Sequence, residues 1–297
     1  MRINLLDHGY IEFIEAWGKG KHVEFKEVHH TDAALIDYEV GMIEAARQST
    51  QGSFRGWGRD MKLLTHLWEH RHNSPFEFAG AVIEVQAPIM VFREWHRHRM
   101  QSYNEMSARY EPLPCLYYTP DRSNVIERGQ AITKNKQAIG STPFNEGYVD
   151  AWLANVDQEW EHDEAMYQTA LANGIPKELA RITMPVGHYT RMRAQANLRN
   201  WFAFLTLRMD PNAQWEIRQY ANALGEQIIS KIFPRSWWLF NGEYNNPTSL
   251  RSRLSAYIKT LDSSLRSRLS SGDIETLDYD RSAINIIKDL RALINKE

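Results

Sequence analysis

Between Arg97 and Arg109 the chain gathers four basic side chains, Arg97, His98, Arg99 and Arg109, around one carboxylate, Glu105, and the small polar groups of Ser102, Asn104 and Ser107. A guanidinium offers forked N–H donors that match phosphate oxygens two at a time. Residues of these types could grip an anion, and they would make a poor core. The plainer reading of an arginine cluster is a solvated loop tied by surface ion pairs, which contribute little to stability. Farther along, Asn197-Leu198-Arg199 opens a predicted helix, and a helix N-terminus carrying an Asn and an Arg suits a diphosphate. Arg208 stands at the end of that helix, where pairing with Asp210 or Glu216 is the plain structural alternative to a role in chemistry.

Other groups point elsewhere. His66-Leu67-Trp68-Glu69-His70 matches the H-x-x-E-H zinc pattern, and two histidines four residues apart on one helix face can grip a metal. The rest of the sequence supplies no clear third ligand, so an ordinary helix surface is the better reading. The stretch from His70 through His72, Ser74 and Pro75 to Glu77 reads as a helix C-terminus followed by a turn. Cys115 is the one thiol. It stands in an apolar, strand-like segment bounded by prolines with no base nearby in sequence, unlike a thiolate made acidic by its neighbours.

Composition narrows the classes. The 297 residues are 43% hydrophobic and 11% aromatic, enough to bury a core. Lys plus Arg number 35 against 37 Asp plus Glu, a net charge of −2. A nucleic-acid-binding module using the same arginines would want a basic domain, so any anion site here is local. A single cysteine excludes an internal disulfide and a cysteine-based metal cluster, and it fits a reducing compartment. No signal-peptide core or membrane-length apolar run is visible. The expectation is a soluble, intracellular, cytoplasmic protein.

The elements that must hold these residues follow from periodicity. Tyr10–Phe13 and His22–Phe25 alternate like strands on either side of Gly18-Lys19-Gly20. A helix is predicted from a Thr31-Asp32 cap to about Arg47, burying Ile36, Val40, Ile43 and Ala46. A Gly- and Ser-rich loop precedes a second helix over 59–70, and residues 78–86 read as a strand. Pro88 then opens about two helical turns, and the chain from Arg97 onward reads as a loop. Residues 113–119 look extended, 121–142 look like an insertion, and 144–173 form a long amphipathic helix closed by Gly174. A short helix over 176–181, a strand over 185–196, and helices over 197–208 and 213–233 complete a domain of residues 1–240. Residues 241–297, with SLRSRLS repeated at 249–255 and 264–270, are expected to be a helical C-terminal extension.

The order Arg97-His98-Arg99, seven residues, then Ser107, with Asn104-Glu105 between and Arg109-Tyr110 just after, resembles the signature of the flavin-dependent thymidylate synthase family. Two further segments resemble that family: His70-Arg71-His72-Asn73-Ser74-Pro75-Phe76-Glu77, and the run from Leu207 through Arg208 and Asp210 to Ala213-Gln214-Trp215-Glu216-Ile217. The matching segments span roughly residues 5–235, leaving out the insertion. The resemblance implies an α/β (α+β) fold, an antiparallel sheet flanked by helices, assembled as a homotetramer with active sites at subunit interfaces. It implies FAD as cofactor, dUMP, methylenetetrahydrofolate and NADPH as ligands, no metal, and reductive methylation of dUMP to dTMP.

Carried over residue by residue, the resemblance assigns FAD contacts to His72, Ser74, Arg97, His98, Arg99, Glu105, Asn197, Arg199 and, weakly, Asn212. It assigns dUMP contacts to Glu94, Arg97, Glu105, Met106, Ser107, Ala108, Arg109, Arg181 and Arg208, with Arg181 reaching the nucleotide from another subunit. Arg208 is the catalytic candidate, its family counterpart lying against the uracil ring, where a cation stabilises charge developing on N3 and O4. Ser107 has no evident general base and is assigned binding and positioning. Four positions depart from the pattern: Phe78 replaces a usual His, Glu94 a frequent Gln, Ala203 an Asn found in some relatives, and Asn212 a common His.

Overall fold

The computed structural model describes residues 1–19, 37–50, 52–129 and 144–245. In chain order, β1 (Arg2–Leu5) turns through residues 6–8 into β2 (Gly9–Trp17), with Leu6 at φ +55° in the turn. Their antiparallel register sets Arg2 against Glu12 and Asn4 against Tyr10. The second expected strand stretch, residues 22–25, lies outside the described residues, as does the Thr31-Asp32 cap. Helix α1 (Val40–Arg47) buries Val40, Met42 and Ile43. Helix α2 (Trp57–Glu69) starts at Gly56, whose φ of +89° suits glycine. Strand β3 (Gly80–Pro88) leads into α3 (Ile89–Trp95), with Pro88 as the N-cap.

The chain beyond Arg97, read as a loop, forms a short strand, β4 (Ser102–Glu105). It pairs antiparallel with β5 (Tyr189–Asn197), setting Ser102 against Gln195 and Glu105 against Met192. Helix α4 (Arg122–Arg128) falls inside the expected insertion and is capped by Asp121, whose carboxylate accepts from the Ser123 and Asn124 amides. Residues 130–143 lie outside the described residues. Helix α5 (Glu146–Ala172) is capped by Asn145 and followed by Gly174 at φ +79°, the glycine-terminated end the sequence suggested. Helix α6 (Lys177–Ala180) is a single turn. Strand β5 begins only at Tyr189, because Pro185 to His188 make a turn closed by the His188 amide on the Pro185 carbonyl at 3.1 Å. Helix α7 (Leu198–Arg208) follows at once. The helix expected over 213–233 is α8 (Trp215–Ala223), a π turn over Leu224–Ile229, and α9 (Ser230–Ile232). Helix α10 (Pro234–Asn245) runs through the expected boundary at residue 240.

The strands form one antiparallel sheet in the order β1-β2-β3-β5-β4, with helices flanking it. The chain divides into two compact units. Among the described residues, the first holds 1–15, 81–129, 144–196 and 203–227; the second holds 16–19, 37–50, 52–80, 197–202 and 228–245. In the first unit, Phe92, Trp95, Tyr189, Met192, Phe204, Ile217 and Tyr220 are buried. Edge helix α4 is tied to α8 there: Arg128 donates to the buried Glu216 at 2.7 Å and lies 4.6 Å over the Trp215 ring. In the second unit, Met42, Ile43, Leu64, Leu67 and Phe76 are buried, and the Trp68 ring meets Phe76, Phe202 and Phe240 edge-on. Asp60 is fully buried and ion-paired with Arg47 while accepting from the Arg55 amide at 2.6 Å, fixing the start of α2.

Candidate active site

Two arrangements in the first unit concern the predicted residues. The first is a cleft of about 350 Å³ lined by Arg93, Glu105, Met106, Ala108, Arg181 and Thr190, with Ile89, Leu113, Ile182 and Val186 among its apolar wall residues. Helix α3 supplies Arg93, the end of β4 supplies Glu105 and Met106, the turn after α6 supplies Arg181, and β5 supplies Thr190. The Met106 amide donates to the Arg191 carbonyl at 2.8 Å, which continues the strand pairing by one residue and fixes this wall. Arg93 and Arg181 are exposed and make no ion pair among the described residues, so both guanidiniums remain available to an anion. Burial pushes the Glu105 carboxyl up, opposed by the neighbouring His96, Thr190 and Arg93. His96 Nε2 lies 3.8 Å from the Glu105 carboxylate.

The second arrangement fixes Arg208. Its Nε donates to His98 Nε2 at 2.8 Å, its Nη1 to the Glu94 carboxylate at 2.6 Å, and its Nη2 to the Glu94 carbonyl at 3.0 Å. The expected alternative partners, Asp210 and Glu216, are engaged elsewhere: Asp210 accepts from the Asn212 amide, and Glu216 accepts from Tyr118 and Arg128. Burial first, and the Arg208 charge second, hold the His98 imidazole down at about 4, so it is neutral at ordinary pH. Its ring meets Phe204 edge-on at 4.8 Å.

The remaining candidates fall as follows. Arg97 and Arg99 are exposed after α3, without an ion pair among the described residues. Ser107 Oγ accepts from the Arg109 amide at 3.3 Å, and Arg109 Nε pairs with Glu178 at 3.1 Å. Asn212 spends its amide and its side-chain nitrogen on Asp210, at 2.7 and 2.9 Å. In the second unit, His72 and Ser74 are exposed and Arg199 is paired with Glu77. Asn197 closes β5 rather than lying in the helix; its side chain caps α7 by accepting from the Asn200 amide at 3.0 Å. The Leu198 amide donates to the Ala79 carbonyl at 2.7 Å. Two of the first three helical amides are thus already taken, which weakens the anion-binding expectation for this terminus. Phe78, the departure from the family's His, is 60% exposed.

Of the predicted nucleotide set, Glu105, Met106, Ala108 and Arg181 line the cleft and Glu94 and Arg208 form the clamp, while Arg97, Ser107 and Arg109 belong to neither. Sequence reasoning missed Arg93, Thr190 and His96. Arg93 stands one helical turn before Arg97, a spacing that could have been noticed; Thr190 is an unremarkable polar residue in an apolar strand. His66 and His70 do approach, with ring centroids 4.1 Å apart, but no group of three or more His, Cys, Asp or Glu able to hold a metal occurs among the described residues. Cys115 is exposed rather than enclosed, and its thiol is pushed up by partial burial and by Glu164. No helix of the described residues is long and apolar enough to cross a membrane.

Comparison with known proteins places the chain. A profile of the family described as thymidylate synthase complementing protein matches residues 28–235. A flavin-dependent thymidylate synthase from Thermus thermophilus is 35% identical over 257 residues, covering 85% of this chain and 84% of that protein. One from Thermotoga neapolitana is 34% identical over 233 residues, covering 78% and 89%. Among solved structures, a UMP/dUMP methylase, PolB from Streptomyces cacaoi bound with 5-Br dUMP, superposes with a TM-score of 0.65 at 26% identity, covering 80% of this chain and 97% of that one. The RHR-to-Ser107 signature, the antiparallel sheet and these matches agree: the chain belongs to the flavin-dependent thymidylate synthase family, a family of methyltransferases.

Proposed function

We propose that the chain converts dUMP to dTMP with methylenetetrahydrofolate as carbon donor and NADPH as reductant, through FAD and without a protein nucleophile. The balanced reaction joins dUMP, methylenetetrahydrofolate, NADPH and a proton to give dTMP, tetrahydrofolate and NADP⁺. The observation that carries this reading is Arg208, a guanidinium 14% exposed and held by three hydrogen bonds. A fixed cation costs no reorganisation when charge develops on a pyrimidine ring beside it.

Arg93 and Arg181 would take the nucleotide phosphate in the cleft, with Glu105, Met106, Ser107, Ala108, Arg109 and Arg97 around the remainder. A cleft of about 350 Å³ is of ligand size. Glu94 spends one carboxylate oxygen on Arg208 and is 41% exposed, so its other oxygen can meet the pyrimidine. Cys115 supports the absence of a thiolate route, because a thiol pushed upward is a weak nucleophile.

The donor chemistry also fits an anionic flavin cofactor. Arg97 and Arg99 carry unpaired charge for a diphosphate, and His98 and Glu105 add a neutral and an acidic hydrogen-bonding group in the first unit; the family resemblance alone adds His72, Ser74, Asn197, Arg199 and Asn212. FAD, when bound, supplies the hydride and redox chemistry. A cytoplasmic homotetramer with active sites at subunit interfaces, and a synthase domain over 1–240 with an extension over 241–297, complete the proposal.

The test is an absorption spectrum of the purified protein, followed by anaerobic NADPH with and without dUMP. Flavin bands that bleach faster with dUMP are expected. A colourless protein that fails to take up added FAD would overturn the reading, and a flavin that never bleaches would remove the catalytic assignment.

A further inference from the structure

Arg208 closes α7, and its long side chain has several torsions that the helix does not fix. Three contacts fix them. A guanidinium has five N–H donors; the Nε donor goes to His98, one Nη1 donor to the Glu94 carboxylate, and one Nη2 donor to the Glu94 carbonyl. One N–H is left on each terminal nitrogen. His98 is itself constrained, edge-on to Phe204, which packs 4.4 Å from the Trp95 ring. The His98 carbonyl accepts from the Tyr103 hydroxyl, so backbone and ring are both located.

The hydrogen bond dictates the state of the imidazole. Nε2 faces an N–H donor and must carry a lone pair, so the ring is neutral and its proton sits on Nδ1. A doubly protonated ring would set N–H against N–H and positive charge against positive charge. Burial beside a permanent cation keeps that form out.

We propose that His98 and Glu94 are positioning residues for Arg208, a neutral acceptor and a carboxylate that set the plane of the guanidinium and aim its two remaining N–H groups at the bound nucleotide. This rests on the role given to Arg208 above and adds to the cofactor and nucleotide contacts assigned to the two residues. It also makes the protonation state of His98 part of the site's geometry. A displaced catalytic group loses rate even when binding survives, so removing the acceptor lowers kcat more than it raises KM for dUMP.

The test combines substitutions with selectively ¹⁵N-histidine-labelled protein, all at saturating FAD. In the labelled protein, His98 should show the tautomer protonated on Nδ1 and stay neutral well below the usual imidazole range. His98→Ala should lower kcat by roughly 10- to 100-fold, and His98→Gln, which can place an amide oxygen near the Nε2 position, should recover most of it. In an Arg208→Lys background, His98→Ala should cost little more, because the group it positions is gone. The clamp is refuted if the Nε2-protonated tautomer is found, if His98→Gln is as slow as His98→Ala, or if the full loss persists in the Arg208→Lys background. Should the unaltered protein fail to turn over dUMP at all, the proposed reaction falls, while the imidazole tautomer still decides the clamp.

Discussion

At the level of single residues, the two arginines proposed to meet the nucleotide are expected to fail in different ways. Arg181 lines the cleft with an exposed, unpaired guanidinium. A charge-assisted hydrogen bond to a phosphate is worth about 1.5–3 kcal/mol, so Arg181→Ala should raise KM for dUMP roughly 10- to 100-fold with a smaller effect on kcat. Arg208 is aimed at charge that appears during the reaction. Its loss should lower kcat by about 10²–10³, the usual cost of removing one preorganised donor. Steady-state kinetics on the two variants separate these outcomes, and equal effects on both constants would erase the distinction. Cys115 is the complementary case. Exposed and pushed toward the thiol form, it should be replaceable by Ser with turnover kept within about twofold. A large loss would reinstate a thiolate route.

The secondary-structure elements show where sequence reasoning succeeds and where physics hides the answer. Helix α5 was legible at its C-terminal end, where Gly174 takes a positive φ, while its cap at the other end, Asn145 accepting from the Tyr148 amide at 3.1 Å, is known from the structure. Removing that cap with Asn145→Ala should cost about 1 kcal/mol, seen as a lower Tm without loss of dUMP turnover. The expected amphipathicity was weaker than the sequence suggested, since only Val149 and Tyr167 of α5 are buried. Strand β4 was read as a loop because it is a four-residue edge strand, paired on one side, with Ser102 and Asn104 on its exposed face. Such a strand carries almost no apolar alternation to detect. The π turn over Leu224–Ile229 is likewise invisible, since its pattern stays helical. In the site, the cluster from Arg97 to Arg109 was legible by residue type and spacing. The partners of Arg208 were not: His98 and Glu94 stand 110 and 114 residues away, and only the fold brings them together.

Across the molecule, a nearly balanced charge leaves the pH response to a few groups moved by burial. Two are histidines. His98 is held at about 4, and His188, fully buried and edge-on to Tyr117, is also held below the usual imidazole range by burial. An unfolded imidazole takes up its proton near 6.5, while these folded ones resist until lower pH. Between those limits the unfolded state binds more protons, so the histidine contribution to stability is present at neutral pH and lost as the pH falls. Glu39 and Glu105, both raised by burial, run the other way. Their folded forms hold protons that the unfolded chain has released, so they add stability as the pH falls through their raised values. A melting curve of the unaltered protein therefore reports a difference of opposing slopes. His188→Phe isolates one of them: it keeps an edge-on ring against Tyr117 and deletes two ring nitrogens that have no hydrogen-bond partner among the described residues. The Tm of His188→Phe should stand progressively higher relative to the unaltered protein as the pH is lowered from about 7 to about 4.5. A difference that stays constant over this range would show that protonation of His188 does not drive acid unfolding.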